Sequence, residues 1–249
     1  ALSDQRSGPA RVLALDRLTG ARVWELRVEQ ASRPEFEDLF PHGEPLVIGD
    51  LVVVQARKSN ARLESAAWLL ALERSTGNIR WSLSLGAAGG VRLAASRPLG
   101  SPARLGSDIV AATSLGVVAR IDAATGEVRW LRRWPPPVRE PRVSWPAWQL
   151  PSPVVDERLV AWIEPGGAML VALDATDGST VWTRPLGVGT DIGEARTLLM
   201  DAERVYAIGN DVVAIDRRDP ARIVWRASST SAPPAPIRGQ VTMGSMADG

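Results

Sequence analysis

"LVALDATDGSTVWTRPL", residues 170–186, sets Ala172, Asp174, Gly178 and Trp182 at intervals of two, four and four. The frame returns in "ALDRLTGARVW" (Ala14, Asp16, Gly20, Trp24), in "ALERSTGNIRW" (Ala71, Glu73, Gly77, Trp81) and in "RIDAATGEVRW" (Arg120, Asp122, Gly126, Trp130). A fifth copy, "AIDRRDPARIVW", keeps Ala214, Asp216 and Trp225 but has Pro220 in the glycine position and one more residue before the Trp. The tryptophans lie 57, 49, 52 and 43 residues apart. A unit that recurs about every 50 residues with uneven spacing is an array of one supersecondary element joined by loops of variable length.

Each unit reads as strands. "LVVVQA" (51–56), "IVAATS" (109–114), "LVAWIE" (159–164) and "VYAIG" (205–209) are short apolar runs rich in β-branched residues, preceded by Asp50, Asp108, Asp156 and Asp201 as turn signals. A second turn leads to the strand that ends in Ala-x-Asp, and the Gly turn leads to the strand that carries the Trp. An Asp at a strand end accepts hydrogen bonds from the following amides, and a Gly supplies the positive φ of a tight hairpin. The Trp is thereby returned beside the Ala. The indole of one unit is expected to pack against the small Ala of the next, with its N–H free to find a carbonyl.

Four-stranded antiparallel meanders with two apolar faces must stack, and radial stacking leaves only short, protected edges. A β-solenoid has shorter rungs, and no segment has a long helical period. The fold class expected is therefore all-β, a β-propeller of four-stranded antiparallel blades forming an incomplete ring. Residues 1–249 read as one propeller region: a partial blade at 1–30, blades at about 37–86, 95–135, 150–188 and 193–229, and the start of another at 236–249. Both ends fall inside blades, so a piece of a longer ring is expected, with closure of the last strand onto the first hairpin as the alternative.

Composition narrows the function classes. There are 249 residues, 45% hydrophobic and 23% charged, with a formal net charge of +1, which gives no basic footprint for nucleic acid. Lys58 is the sole lysine, so the basic side is almost all Arg. With no cysteine the chain has no disulfide framework and no thiolate nucleophile. No apolar run is long enough to span a membrane, and the first residues have no signal-like apolar stretch.

At the repeated residues the sequence resembles the pyrroloquinoline quinone (PQQ) repeat propellers, the quinoprotein type, with their tryptophan-docking motif Ala-x-Asp-x-x-x-Gly-x-x-x-Trp. The match is good at 14–24, 71–81 and 172–182, carries Arg120 for Ala at 120–130, and is degenerate in the fifth copy. The resemblance implies one of two functions. Quinone-dependent dehydrogenases of the type hold PQQ with calcium on the propeller axis, and many have a vicinal disulfide that this chain cannot make. Non-catalytic scaffolds, similar to the propeller lipoprotein of outer-membrane assembly, use the same fasteners to present loops to partners. The absence of recognisable metal-ligand and base motifs favours the scaffold reading: no catalytic residue, no cofactor, a protein partner, and a place outside the cytoplasm. PQQ with calcium is the alternative, and a ligand-sensing propeller of a signalling protein is a third.

The candidate partner-binding segment is "RRWPPPVREPRVSWPAWQLPSP", 132–153, where stiff proline-rich backbone carries Arg133, Trp134, Arg139, Arg142, Trp145 and Trp148. Trp and Arg are frequent interface anchors. The competing reading folds these tryptophans back over the ring. His42, the single histidine, is expected in a surface loop. The acids Glu35, Glu37 and Asp38 lack the ligand order of a calcium loop. Gly189, Asp191 and Glu194 lie in a glycine-rich connection that no helix follows, so it is not a phosphate loop.

Overall fold

A computed structural model describes residues 11–27, 36, 39–59, 65–88, 100–134 and 152–228. Among them there is no α-helix, and eighteen strands form five antiparallel sheets. The first sheet is the hairpin β1 (Arg11–Leu15) and β2 (Arg22–Arg27). Four meanders follow, each pairing in sequence order. They are β3 (Leu39–Ile48) to β6 (Ile79–Ala88), with β4 (Leu51–Ser59) and β5 (Ser65–Glu73) between; and β7 (Ala103–Leu105), β8 (Asp108–Ala112), β9 (Val117–Asp122) and β10 (Val128–Arg133). Then come β11 (Val154–Val155), β12 (Leu159–Ile163), β13 (Met169–Asp174) and β14 (Thr180–Pro185), and finally β15 (Ala195–Met200), β16 (Arg204–Gly209), β17 (Asp211–Asp216) and β18 (Ile223–Ser228).

The first strands of neighbouring meanders touch: β3 meets β7, β7 meets β11, and β11 meets β15. These strands line the inside of the arc, and the tryptophan-bearing strands form its outer rim. The chain is a run of propeller blades.

Alternation along each middle strand explains why the strands read as unbroken apolar runs. Leu51 and Val53 of β4 enter a core shared with the following blade, beside Ile109, Ala119 and Ile121. Val52 and Val54, on the other face of the strand, pack with Val12 and Trp24 of the preceding hairpin. Similar cores join the third blade to the fourth and the fourth to the fifth. Both faces of an inner blade are thus buried, and polar alternation disappears from its middle strands.

Within each blade the motif Trp lies directly across from the residue at the Ala position: Ala14 from Trp24, Ala71 from Trp81, Arg120 from Trp130, Ala172 from Trp182 and Ala214 from Trp225. The ladder shifts register beside this pair in all five sheets. A bulge there twists the outer strand and re-aims its large side chain.

Candidate functional site

The two ends of the arc are built differently. One end carries the turns between first and second strands and the motif turns between third and fourth. They are tied together: the amides of Arg74, Ala175 and Arg217 donate to the carbonyls of Asp50, Arg158 and Glu203. The motif acids are used up in these turns. Asp16 accepts the amides of Leu18 and Thr19 and the Thr19 hydroxyl, and Asp122 is held in the same way by Ala124 and Thr125. Asp174 accepts the Thr176 amide, and Asp216 the amides of Arg218 and Asp219. Such bonds favour the carboxylate. The side-chain bond from Thr19 lowers the pKa of Asp16, the Thr125 amide that of Asp122, and the Arg218 amide that of Asp216. Asp16, Asp122 and Asp216 are thus held as carboxylates that accept from their own turns.

At the same end sits the joint between blades. The indole Nε1 of Trp24 donates to the carbonyl of Arg74 at 2.8 Å, that of Trp81 to Ala123 at 2.9 Å, that of Trp130 to Ala175 at 2.9 Å and that of Trp182 to Arg217 at 3.2 Å. Every acceptor is the residue directly after the motif acid of the next blade. The ring itself covers the next motif glycine: a Cβ built at Gly77, Gly126 or Gly178 would lie 2.6, 2.8 or 2.7 Å from the indole of Trp24, Trp81 or Trp130. These glycines also have φ of +77°, +77° and +73°. The expectation that the ring packs against the next blade's Ala is corrected here. The Ala is the cross-strand neighbour of its own Trp, and the small residue under the ring is the Gly.

Arg120, the departure at the Ala position, reaches along the blade. Its Nε donates to the Asp108 carboxylate at 2.6 Å and its Nη1 to the Ala175 carbonyl at 2.9 Å, the oxygen that also receives Trp130. Asp108 is buried in β8, unlike the exposed turn residue Asp50 with which the sequence grouped it.

The opposite end carries the turns between second and third strands and the connections from blade to blade, which at 89–102 and 134–153 are long. The last described residue before the proline-rich segment, Trp134, is clamped there. Its amide donates to the Gly116 carbonyl at 2.7 Å, and its ring meets Trp162 edge-on with centroids 5.6 Å apart. Ser152, where the described chain resumes, accepts the Ser101 amide at 2.8 Å. Arg132 donates to the Gly178 and Asp177 carbonyls, whereas Arg133 is exposed. Arg139, Arg142, Trp145 and Trp148 lie outside the described residues, as do Glu35, Glu37 and Asp38. In the shorter connection at 186–194, Asp191 pairs with the buried Arg184 and receives Arg226 on its carbonyl.

His42 is not on a surface loop. It is buried in β3, opposite Gln55, just before Gly43, Glu44 and Pro45 bulge out of the ladder. Burial, helped by the charge of Arg57, pushes its pKa down to about 4. The Glu44 amide in that bulge donates to Ser101 Oγ. A solitary histidine in an apolar-alternating strand carries no sequence signal that separates burial from exposure.

A quinone with calcium asks for a cluster of oxygen ligands. No group of three or more His, Cys, Asp or Glu able to hold a metal ion comes together among the described residues. Nor is any helix among them long and apolar enough to cross a membrane.

Comparison with known proteins agrees with the blade architecture. The structure is similar to BamB from Moraxella catarrhalis, with a TM-score of 0.57 and 20% identity over 87% of this chain and 55% of that one. It is also similar to the quinohemoprotein alcohol dehydrogenase from Comamonas testosteroni, with a TM-score of 0.60 and 12% identity over 88% of this chain and 50% of that one. The chain thus spans about half the length of these solved relatives. No curated protein matches it in sequence. The family model described as "Outer membrane protein assembly factor BamB" matches residues 4–161 and again 115–246. Those matches, with the repeated turn and the indole bridging each blade to the next, show that the chain belongs to this PQQ-repeat β-propeller family.

Proposed function

We propose that the chain is a non-catalytic interaction scaffold that binds a protein partner outside the cytoplasm. The observation that carries this is the division of labour between its two ends. At one end the acids of the repeat are consumed by turn amides and the backbone is closed by tight hairpins. At the other lie the anchored ends of the two longest connections in the sequence, where Trp134 is held by Gly116 and Trp162 and the Ser101 amide donates to Ser152, and Arg133 with Trp134 leads into the proline-rich segment. Binding residues on loops held by a rigid scaffold are the usual arrangement for recognition. The family description, an assembly factor of the outer membrane, supports the same reading and the same compartment.

The test replaces 137–149 with a Gly-Ser linker of equal length and compares proteins crosslinked to the chain in the cell envelope. Loss of a crosslinked protein with unchanged far-UV circular dichroism is expected. Retention of every partner by the replaced chain overturns the assignment.

The likeness to a quinohemoprotein dehydrogenase supports a second reading, a PQQ-dependent dehydrogenase. Titration with PQQ and calcium, followed by tryptophan fluorescence and dye reduction with alcohols and sugars, separates the two. No saturable quenching is expected. Saturable quenching with turnover would replace the scaffold assignment.

A further inference from the structure

The connection from the fourth blade to the fifth, 186–194, is a loop that closes on itself. The Gly187 amide donates to the Gly193 carbonyl at 2.8 Å, and the Thr190 hydroxyl donates to the Gly187 carbonyl at 2.9 Å while accepting the Gly193 amide at 3.0 Å. Both adjoining blades hold it. Leu186 and Ile192 are buried in the core that those blades share, Arg184 of β14 pairs with the Asp191 carboxylate, and Arg226 of β18 donates to the Asp191 carbonyl. Gly187, Gly189 and Gly193 have φ of +111°, +85° and +78°, and a Cβ built at any of them meets nothing within 4 Å. Unlike Gly77, Gly126 and Gly178, these glycines make room for no neighbour, so what they supply is the shape of the loop.

That shape lifts one side chain away from the protein. Val188, between two of the glycines, is 93% exposed, more than any other large apolar residue among those described. Other apolar residues in the connections at this end turn inward: Leu115 is buried in the core between the second and third blades, and Trp134 rests on Trp162. The fold makes no packing use of the Val188 side chain, and the loop that carries it is anchored and already shaped, which lowers the entropy lost on binding. The bare glycines on either side leave space for a partner to close around the isopropyl group. Charge narrows the occupant. Arg184, Arg196 and Arg226 each lie within 4 Å of an acid, Asp191, Glu194 and Asp211 respectively. None of the three is spare for a polyanion, and one isopropyl group amid balanced charges holds a membrane poorly. We propose that loop 187–193 is a preformed knob that seats Val188 in a small apolar socket on a folded protein. The inference rests on the scaffold reading and adds to it a contact that lies outside the proline-rich segment.

Because the chain has no cysteine, Val188→Cys supplies a single small thiol, and its rate of reaction with a maleimide tests the knob. The control is Val181→Cys on β14, where Val181 is also exposed. In the cells that make the protein, the thiol at 188 is expected to react several-fold more slowly than in the purified chain, and the thiol at 181 at the same rate in both. Added chain that keeps Val188 is expected to restore fast labelling at 188. A Val188→Asp chain should need a concentration about tenfold higher or more to do the same, since it has no valine to bury. Val188→Asp alters an exposed position and is expected to leave the urea midpoint unchanged. Equal rates at 188 in cells and in the purified chain, or equal competition by the two chains, overturn the proposal. Slowing that vesicles of anionic lipid reproduce with the purified chain overturns it too. The replacement of 137–149 separates the two assignments. A partner lost on that replacement, with no slowing at 188, keeps the scaffold and removes the knob. Slowing at 188 that survives the replacement keeps the knob and removes the proline-rich segment as the contact.

Discussion

Gly178 lies so close beneath Trp130 that a Cβ at 178 would stand 2.7 Å from the indole, while the N–H of the same indole reaches the Ala175 carbonyl. One turn of the fourth blade thus receives both the face and the edge of a ring from the third.

Trp130→Ala is expected to cost about 3–5 kcal/mol, as a buried large-to-small change that also leaves a carbonyl short of a donor. Gly178→Ala should cost about 2–4 kcal/mol, from the positive φ and the clash together. In the Trp130→Ala background only the φ contribution remains, about 1–2 kcal/mol. Urea unfolding of the four proteins in a double-mutant cycle reads the coupling. Strict additivity would show that ring and glycine do not share a joint.

Trp182→Ala is expected to lose a comparable amount, about 3–5 kcal/mol, even though Pro220 replaces the glycine in the blade it meets. The ring is as buried as that of Trp130, and its N–H still finds the Arg217 carbonyl. Thermal or urea denaturation checks the size. A loss under about 1 kcal/mol, the range of ordinary surface substitutions, would mean that the degenerate turn no longer seats the indole.

Arg120→Ala should destabilise by about 2–3 kcal/mol, because it strands the buried Asp108 carboxylate and removes a charge-assisted bond to Ala175. Adding Asp108→Asn, which takes away the stranded charge, is expected to recover part of the loss. Urea midpoints of the single and double variants decide this. A double variant less stable than Arg120→Ala would remove the stranded charge as the cause.

His42 predicts a pH dependence of its own. Its pKa is about 4 in the folded chain against an ordinary 6.5, because burial disfavours the imidazolium. Between those values the unfolded chain binds the proton and the folded chain does not, so stability is complete above pH 6.5 and falls as the pH drops toward 4. The loss over this window is roughly 3 kcal/mol. His42→Gln should flatten the profile of urea midpoint against pH from 6.5 to 4. An unchanged slope in that variant would assign the dependence to other groups.

The strand pairing and the five Trp positions were legible because the repeat prints the same turn chemistry four times with a degenerate fifth, and an acid and a Gly at a strand end have few other uses. The partner of each ring was not. Period-two alternation says which face of a strand is buried, and it is silent on what the next blade brings to that face. Ala172 and Gly178 are both small, and only the structure shows that Ala172 pairs across the ladder with its own Trp182 while Gly178 lies under Trp130 of the preceding blade. The role of Arg120, which stands for Ala in its copy, was not legible, since a pairing with Asp108 twelve residues earlier has no local signature. The burial of His42 was missed for a related reason: a bulge at Gly43 shifts the register, and a single histidine cannot reveal a shift. Of the candidate binding segment, Arg133 and Trp134 are placed, and Trp134 proves to rest on the ring through Trp162.

The four indole acceptors are main-chain oxygens, carried by Arg74, Ala123, Ala175 and Arg217. A carbonyl is present whatever residue bears it, so the joint places no demand on that side chain. Blades can therefore be duplicated, lost or exchanged, and their surface chemistry rewritten, as long as a turn of the same shape meets a ring of the same size. The propeller behaves as a coupling standard, in which the connector is specified and the cargo is not.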